Sequence, residues 1–425
     1  MRPAACLLRG AWMTLGADIA HMPVHMQSLR ILVDANVPAA ADALSPFGSV
    51  RLVPGHAITR AETEHADVLI VRSVTRVDAD LVEDTPVRFV GTATAGTDHV
   101  DAAALARLGI AFASAPGSNA TSVVEYVLAA LLDLADSRGA DLPATLGVVG
   151  AGAVGGRFVP RARALGMNVL VCDPPRADAG HTDHDYRSLG DLLAGSDMLT
   201  LHVPLTSPSE SRWPTRGLIG AEALAAMRPG AWLVNAARGG VVDGPALVDT
   251  RRSGRLGALV LDCWPGEPQP APDLVAAANL ATPHVAGYSF DGKVAGTAAV
   301  AAALRAWLAA GGDAPARWDA AGVLAEPAPL VVPAPPTDGR TAAAWLAAAM
   351  RPVVDVRADD ARFRAAMAAA GDDAPARAAA FADLRRTHPR RREAAAWTLA
   401  GHVPDALRRA VTDGLGMRTG DGAAR

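Results

Sequence analysis

The sequence predicts an α/β protein: two doubly wound parallel-sheet domains followed by a smaller α+β domain at the C-terminal end. Three observations predict it. Between Leu29 and about Ala310, short apolar runs such as RILVD, DVLIV, LGVVG, NVLVCD and ALVLD alternate with segments such as HVDAAALARLG, whose apolar residues fall at helical spacing. The run NATSVVEYVLAALLDLADSRG from Asn119 carries an apolar stripe at i, i+3, i+4 and i+7 and separates two series of strands, as a helix joining two domains would. Beyond Ala310 the texture turns Pro- and Ala-rich and then amphipathic, with Arg-rich faces.

Taken in order, residues 1–28 read as a disordered or spurious extension, with translation beginning at Met22 or Met26 just ahead of the first strand. The apolar stretch Ala4 to Leu8 is too short for a signal-peptide core. Residues 29–121, completed by 286–310, form the first domain, and residues 122–285 form the second. Residues 311–334 are a linker, 335–412 a separate C-terminal domain and 413–425 a tail. Within 335–412, Trp345, Phe363, Phe381 and Trp397 need apolar partners, so this stretch is more than a solvated helix.

With 40 basic against 44 acidic residues, the net charge of −4 leaves no basic footprint for nucleic acid or an anionic membrane surface. No apolar run approaches the roughly 20 residues that span a bilayer. Cys6, Cys172 and Cys263 lie far apart without ligand-type spacing, which argues against disulfides and metal and fits a reducing cytosol. A small molecule is the expected partner.

The stretch TLGVVGAGAVGGRF places Gly150, Gly152 and Gly155 in a G-x-G-x-x-G array after a strand and before a helix, with Ala153 and Val154 between. That is the phosphate-binding turn of a Rossmann domain: one glycine for the tight turn, one for backbone approach to a pyrophosphate, one for close helix packing. The next strand ends in Asp173, near the roughly 20-residue offset of the acid that binds the ribose hydroxyls and disfavours a 2′-phosphate. The expected cofactor is NAD. Arg176, three residues later, complicates that choice, since an Arg there can neutralise a 2′-phosphate.

In a doubly wound sheet, ligands sit beyond the carboxyl ends of the strands. Arg238 follows WLVNAA, Asp262 ends ALVLD, Glu267 comes five residues on, and His284 follows NLATP. Together they suit oxidation of a hydroxy acid: His284 as the base near neutral pH, Glu267 to fix its tautomer, Arg238 to hold a carboxylate in a planar fork. Singly, each could equally be a salt bridge, a surface acid or a core histidine. Ser73 and Thr94, at the ends of DVLIVR and RFVGTA, offer hydroxyls to an anion, and Arg72 beside Ser73 is a further candidate.

The motifs VGAGAVG, NAARGGVVD, LDCWPGEP and TPHVAG resemble those of the D-isomer-specific 2-hydroxyacid dehydrogenases. A closer resemblance, through ILVDANVP, VRSVTRVD, FVGTATAGTDHVD, CDPPRADAG and HVAGYSFDGK, is to the branch that oxidises a phosphorylated hydroxy acid and carries a C-terminal dimerisation domain. The resemblance implies a flavodoxin-like substrate domain, a homodimer, and catalytic roles for Arg238, Glu267 and His284. It also implies NAD contacts at Asp173, Asp262 and Gly287, and substrate contacts at Ser73, Thr94 and Tyr288. Val203 stands where the family usually has Thr at a cofactor contact, so it enters only as a possible cofactor position. A related dehydrogenase of 3-phosphoglycerate or a simple 2-hydroxy acid, or an NAD-sensing binding protein, remain the alternatives at this point.

Overall fold

The computed structural model describes residues 29–312, 318, 329–337 and 339–420. The proposed N-terminal extension, most of the linker and the last five residues lie outside them. The described residues divide into two compact units, one from residues up to Asn119 with those of Ser289–Pro327, the other from Ala120–Tyr288 with the C-terminal segment from Ala328.

In the first unit, β1 (Arg30–Asp34), β2 (Ser49–Val53), β3 (Val68–Val71), β4 (Phe89–Thr92) and β5 (Ala111–Ala113) make one parallel sheet in the order β2-β1-β3-β4-β5. This is the flavodoxin-like order, with its switch point between β1 and β3. Alternate strand residues feed opposite cores: Ile31, Val33, Val68 and Ile70 on one face, Leu32, Leu69 and Val71 on the other. Burial on both faces is why these strands read as continuous apolar runs.

The first face is closed by the helix Phe290–Ala310, whose Val300, Ala301, Leu304 and Trp307 are buried and whose Trp307 ring lies 5.6 Å from Phe89. This helix corrects the expectation that no segment is long and apolar enough to cross a bilayer. Its apolar length is accounted for by a sheet to cover, with most of it inside the unit.

In the second unit, β6 (Thr145–Val149), β7 (Asn168–Cys172), β8 (Met198–Leu201), β9 (Trp232–Asn235), β10 (Ala258–Leu261) and β11 (Leu280–Ala281) form a parallel sheet in the order β11-β10-β9-β8-β6-β7. A bridge from Val171 to Tyr186 extends the β7 edge. The order reverses between β6 and β8, which marks the crevice at their carboxyl ends. Val148, Met198, Val234 and Val260 face one core, and Val149, Leu199, Leu233 and Leu261 the other.

The C-terminal segment packs within this unit. The helix Ala342–Met350 lays Trp345 and Leu346 into the same core as the connecting helix Ala120–Ser137. Phe363 and Phe381, from helices Val356–Ala370 and Ala374–Arg386, enter the opposite core, where Phe363 packs 5.3 Å from Trp264. Truncating any of these rings costs on the order of 3–5 kcal/mol, so the segment docks firmly. Its sheet is small and parallel: β12 (Leu330–Pro333), β13 (Trp397–Ala400) and β14 (Arg418–Thr419), with β12 drawn from the end of the stretch expected to be linker.

Among the polar links from this segment to the connecting helix, one is wholly buried on the helix side. Glu125, wholly buried, accepts from the Ala394 amide at 2.8 Å and pairs with Arg391 at 3.2 Å. Burial, then the nearby Glu393, push its carboxyl up to about 7 despite Arg391. A carboxyl raised this way keeps its proton longer when folded than when unfolded, so its favourable contribution is complete below the unfolded value and fades as pH rises towards 7. Glu125→Gln is therefore expected to gain stability relative to the wild type as pH rises from about 4.5 to 7, and thermal melts across that range check it; a constant difference would refute the assignment.

Candidate active site

The candidate site is built on the carboxyl edge of the second unit's sheet. After β6 the chain turns at Gly150, whose φ of 92° favours glycine and whose Cβ would meet the His202 carbonyl at 2.6 Å. Gly155 opens the helix Gly155–Ala164 so close to the turn that a Cβ would sit 1.9 Å from the Gly150 carbonyl oxygen. At Gly152 a Cβ would meet nothing within 4 Å. The three glycines thus divide the work as a dinucleotide requires: two lock the turn to the sheet, and the third, with exposed Ala153, leaves the backbone open to an approaching pyrophosphate. Val154 is half-buried against the core. Val203, at the end of β8, packs beside Gly150, where its Cγ1 would lie 2.9 Å from an added Cβ.

Asp173 ends β7 and reaches back to the turn, where its Oδ2 accepts from the Ala151 amide at 2.8 Å while Oδ1 accepts from the Arg176 amide at 3.1 Å. Each oxygen retains acceptor capacity for a ribose hydroxyl. Arg176, the complication raised by the sequence, is turned to other partners: its Nε donates to Tyr186 Oη at 3.0 Å and its Nη2 to Asp183 at 3.0 Å. With that guanidinium engaged, the acid governs the ribose end, and the residues fit NAD.

Three strand ends along the same edge carry Arg238, Glu267 and His284. Past β9, the buried Asn235 folds the chain into a tight turn, accepting from the Ala237 amide at 3.1 Å and donating to the Arg238 carbonyl at 2.9 Å. Arg238 is half-buried there, with one guanidinium nitrogen donating to the Ala237 carbonyl at 2.9 Å. After β10, Glu267 accepts from the Trp264 amide at 2.6 Å through Oε1, and its Oε2 lies 2.8 Å from His284 Nδ1. A carboxylate accepts, so Nδ1 carries the proton and Nε2 of the neutral ring is left as the acceptor. His284 itself sits at φ 57°, a left-handed conformation costly for a large side chain and held by its surroundings.

Those surroundings centre on Asp262, which is wholly buried. Its Oδ1 accepts from Thr282 Oγ1 at 2.7 Å and the Val285 amide at 2.8 Å, and its Oδ2 from the Ala286 amide at 3.0 Å. The sequence reading gave Asp262 only a cofactor contact; in the structure it anchors the turn bearing His284. Thr282 in turn accepts from Tyr126 Oη at 2.6 Å, and its carbonyl accepts from Trp264 Nε1 at 2.8 Å. From the C-terminal segment, Arg391 donates to the Ala286 carbonyl at 2.9 Å, which also accepts from Ser122 Oγ at 2.9 Å. Sequence reasoning missed Thr282, Tyr126, Trp264 and Arg391. The TPH triplet was a faint signal for the first, and nothing singled out Arg391 within RRR.

Cys263, whose spacing in the sequence argues against a metal site, is buried with its Sγ within 4.8 Å of ligand-type atoms of Glu267 and His284. Burial raises its thiol well above the ordinary range, and it donates to the Ala237 carbonyl at 3.3 Å, so it is a poor thiolate ligand. Past half-buried Gly287, Tyr288 meets His388 edge-on, ring centroids 5.9 Å apart.

In the first unit, Ser73 is exposed just past β3 and Arg72 is half-buried beside it. Thr94 is less available than expected: its hydroxyl donates to the Gly96 carbonyl at 2.8 Å and lies 2.7 Å from Thr92, which meets His99 Nε2 at 2.9 Å. Burial, with Arg72 nearby and against the opposing charge of Asp98, holds His99 below the usual imidazole range, so the relay runs from a neutral ring through Thr92 to Thr94.

Comparison with known proteins agrees with this geometry. Residues 138–286 match the NAD-binding domain of the D-isomer specific 2-hydroxyacid dehydrogenases, and residues 335–414 match a domain described only as of unknown function. The erythronate-4-phosphate dehydrogenase of Salinibacter ruber is 47% identical over 399 residues, covering 92% of this chain and 100% of that protein. The enzyme of the same name from Pseudomonas aeruginosa is 47% identical over 372 residues, covering 86% and 93%. Among solved structures, a glyoxylate reductase from Paecilomyes thermophila superposes with TM-score 0.53 at 27% identity, over 66% of this chain and 95% of that one. A D-lactate dehydrogenase from Aquifex aeolicus, complexed with NAD and lactic acid, shares the fold at 22% identity and TM-score 0.54, over 66% and 96%.

The glycine turn yields a contrast. Gly152→Ala is expected to keep the wild-type melting temperature and to weaken NADH binding at least about tenfold, because its methyl enters only the space a pyrophosphate would use. Gly155→Ala should lower both, since its methyl strikes backbone 1.9 Å away. Fluorescence titration with NADH beside thermal melts checks the pair; equal behaviour of the two variants would defeat the division of labour.

Proposed function

The chain belongs to the D-isomer-specific 2-hydroxyacid dehydrogenase family, in its erythronate-4-phosphate dehydrogenase branch, and on that premise we propose that it oxidises 4-phospho-D-erythronate at C2. The product is (R)-3-hydroxy-2-oxo-4-phosphooxybutanoate, a step of vitamin B6 biosynthesis. The single observation that carries the chemistry is the 2.8 Å contact between His284 Nδ1 and Glu267 at one sheet edge with Arg238.

Gly150, Gly152, Ala153, Val154, Gly155 and Asp173 are the residues assigned to NAD, with Val203, Asp262 and Gly287 as lesser contacts. Bound NAD supplies the acceptor for the hydride leaving C2. His284 Nε2 takes the proton of the C2 hydroxyl, and the imidazolium so formed is stabilised through Nδ1 by Glu267. Arg238 orients the substrate carboxylate and stabilises negative charge growing on the C2 oxygen. Ser73, Thr94, Arg72 and Tyr288 are assigned to the substrate. A homodimer working in the cytosol completes the proposal, supported so far by the branch resemblance and by the buried, reduced Cys172 and Cys263.

The test is NADH formation with 4-phospho-D-erythronate, 3-phosphoglycerate and D-lactate, with a 2-oxo acid added in parallel to reoxidise tightly held cofactor. Clear preference for the first is expected; preference for either of the others would overturn the substrate assignment. His284→Ala should lower kcat by about 10²–10⁴-fold with NADH affinity unchanged, and unaltered turnover would remove it from the mechanism. Arg238→Lys should cost roughly tenfold to a hundredfold in kcat/KM, because an ammonium cannot form the planar fork; near-normal kinetics would refute the clamp.

A further inference from the structure

The substrate assigned above carries two anions, a carboxylate beside C2 and a phosphate at C4, and Arg238 answers only the first. A second guanidinium stands in the same unit. Helix Ala374–Arg386 is tied down by Phe381, which packs 6.0 Å from Phe363, itself 5.3 Å from Trp264. Trp264 is the residue whose amide holds Glu267. This line of rings fixes the end of the helix, and Arg385 with it, relative to the catalytic loop. The Arg385 guanidinium carbon lies 5.7 Å from the centroid of the Tyr288 ring, four residues beyond His284.

Two further observations separate Arg385 from an ordinary surface cation. Its Nε is buried and finds no hydrogen-bond partner among the described residues. Its charge also reaches the reacting end of the site: Arg238 and Arg385 both act on the Cys263 thiol, against the opposing push of Asp262 and Glu267. In the same segment, Asp359 is occupied by Arg362 and by His388 at 3.2 Å, and Asp383 by Arg386. A guanidinium stacked on an aromatic face keeps its N–H edge directed outward, which suits the bidentate grip of a phosphate.

We propose that Arg385, from the segment matched only to a domain of unknown function, binds the C4 phosphate of the substrate and sets specificity for the phosphorylated acid. The inference rests on the proposed function, whose substrate supplies the phosphate. It makes the C-terminal segment part of the substrate site: the segment closes the core and also contributes a specificity residue.

The experiment compares 4-phospho-D-erythronate with D-erythronate on the wild type, Arg385→Ala and Arg385→Lys, with NADH affinity and thermal melts alongside. Loss of a charge-assisted contact should lower the kcat/KM preference for the phosphorylated acid by roughly tenfold to a hundredfold in Arg385→Ala, mostly through KM, with Arg385→Lys recovering part of it. An equal loss on both acids, or an unchanged preference, would overturn the assignment; the first would make Arg385 a structural brace. Calorimetric binding of 4-phospho-D-erythronate and of D-erythronate, with only the first weakened in Arg385→Ala if the assignment holds, decides the matter even without turnover. Wild-type inactivity on both acids would sink the functional reading by itself.

Discussion

The buried carboxylate of Asp262 is the constraint on which the site depends. It accepts three hydrogen bonds from the 282–286 turn, and that turn holds His284 in a left-handed conformation that the residue would not adopt unaided. Burial raises its carboxyl, and the surrounding hydrogen-bond donors resist that rise. Without those donors the position would be an uncompensated buried charge; with them it is a rigid joint between the end of β10 and the loop after β11. The His284–Glu267 contact is a consequence, since Glu267 is referenced to the same joint through Trp264.

The parallel sheet explains why such a joint can exist. Strands buried on both faces must be apolar along their length, so polar side chains collect where the strands stop. The six strands β6 to β11 all point the same way, and their stops align on one edge. Asp173, Arg238, Asp262, Glu267 and His284 are therefore neighbours in a common frame despite wide separation in the chain. Cofactor choice follows from the same edge: Asp173 is bonded into the glycine turn, while Arg176, three residues on in sequence, is withdrawn by Tyr186 and Asp183.

The C-terminal segment braces this frame from both cores. Trp345 enters beside the connecting helix and Phe363 beside Trp264, so the segment touches the two elements that flank the catalytic turn. Arg391 adds a direct bond to the turn at Ala286 and pairs with the buried Glu125. Loosening the segment would be felt at His284 through packing and through that bond.

The amino-acid sequence by itself determined the two parallel sheets, the glycine turn and the placing of Arg238, Glu267 and His284 just past strand ends. These features are written locally: strand against helix periodicity, φ-permissive glycines at fixed offsets, and polar residues at the ends of apolar runs. Only the tertiary structure decided that Asp262 spends its carboxylate on the turn of His284, that Arg176 is turned from the ribose acid, that Thr94 donates within its own loop, and that residues 335–412 join the nucleotide unit. Each of those outcomes depends on which distant groups meet, such as Tyr126 with Thr282 or Arg391 with Ala286. Hydrogen bonds and ring contacts between residues up to 275 positions apart leave no periodic trace along the chain from which they could be read.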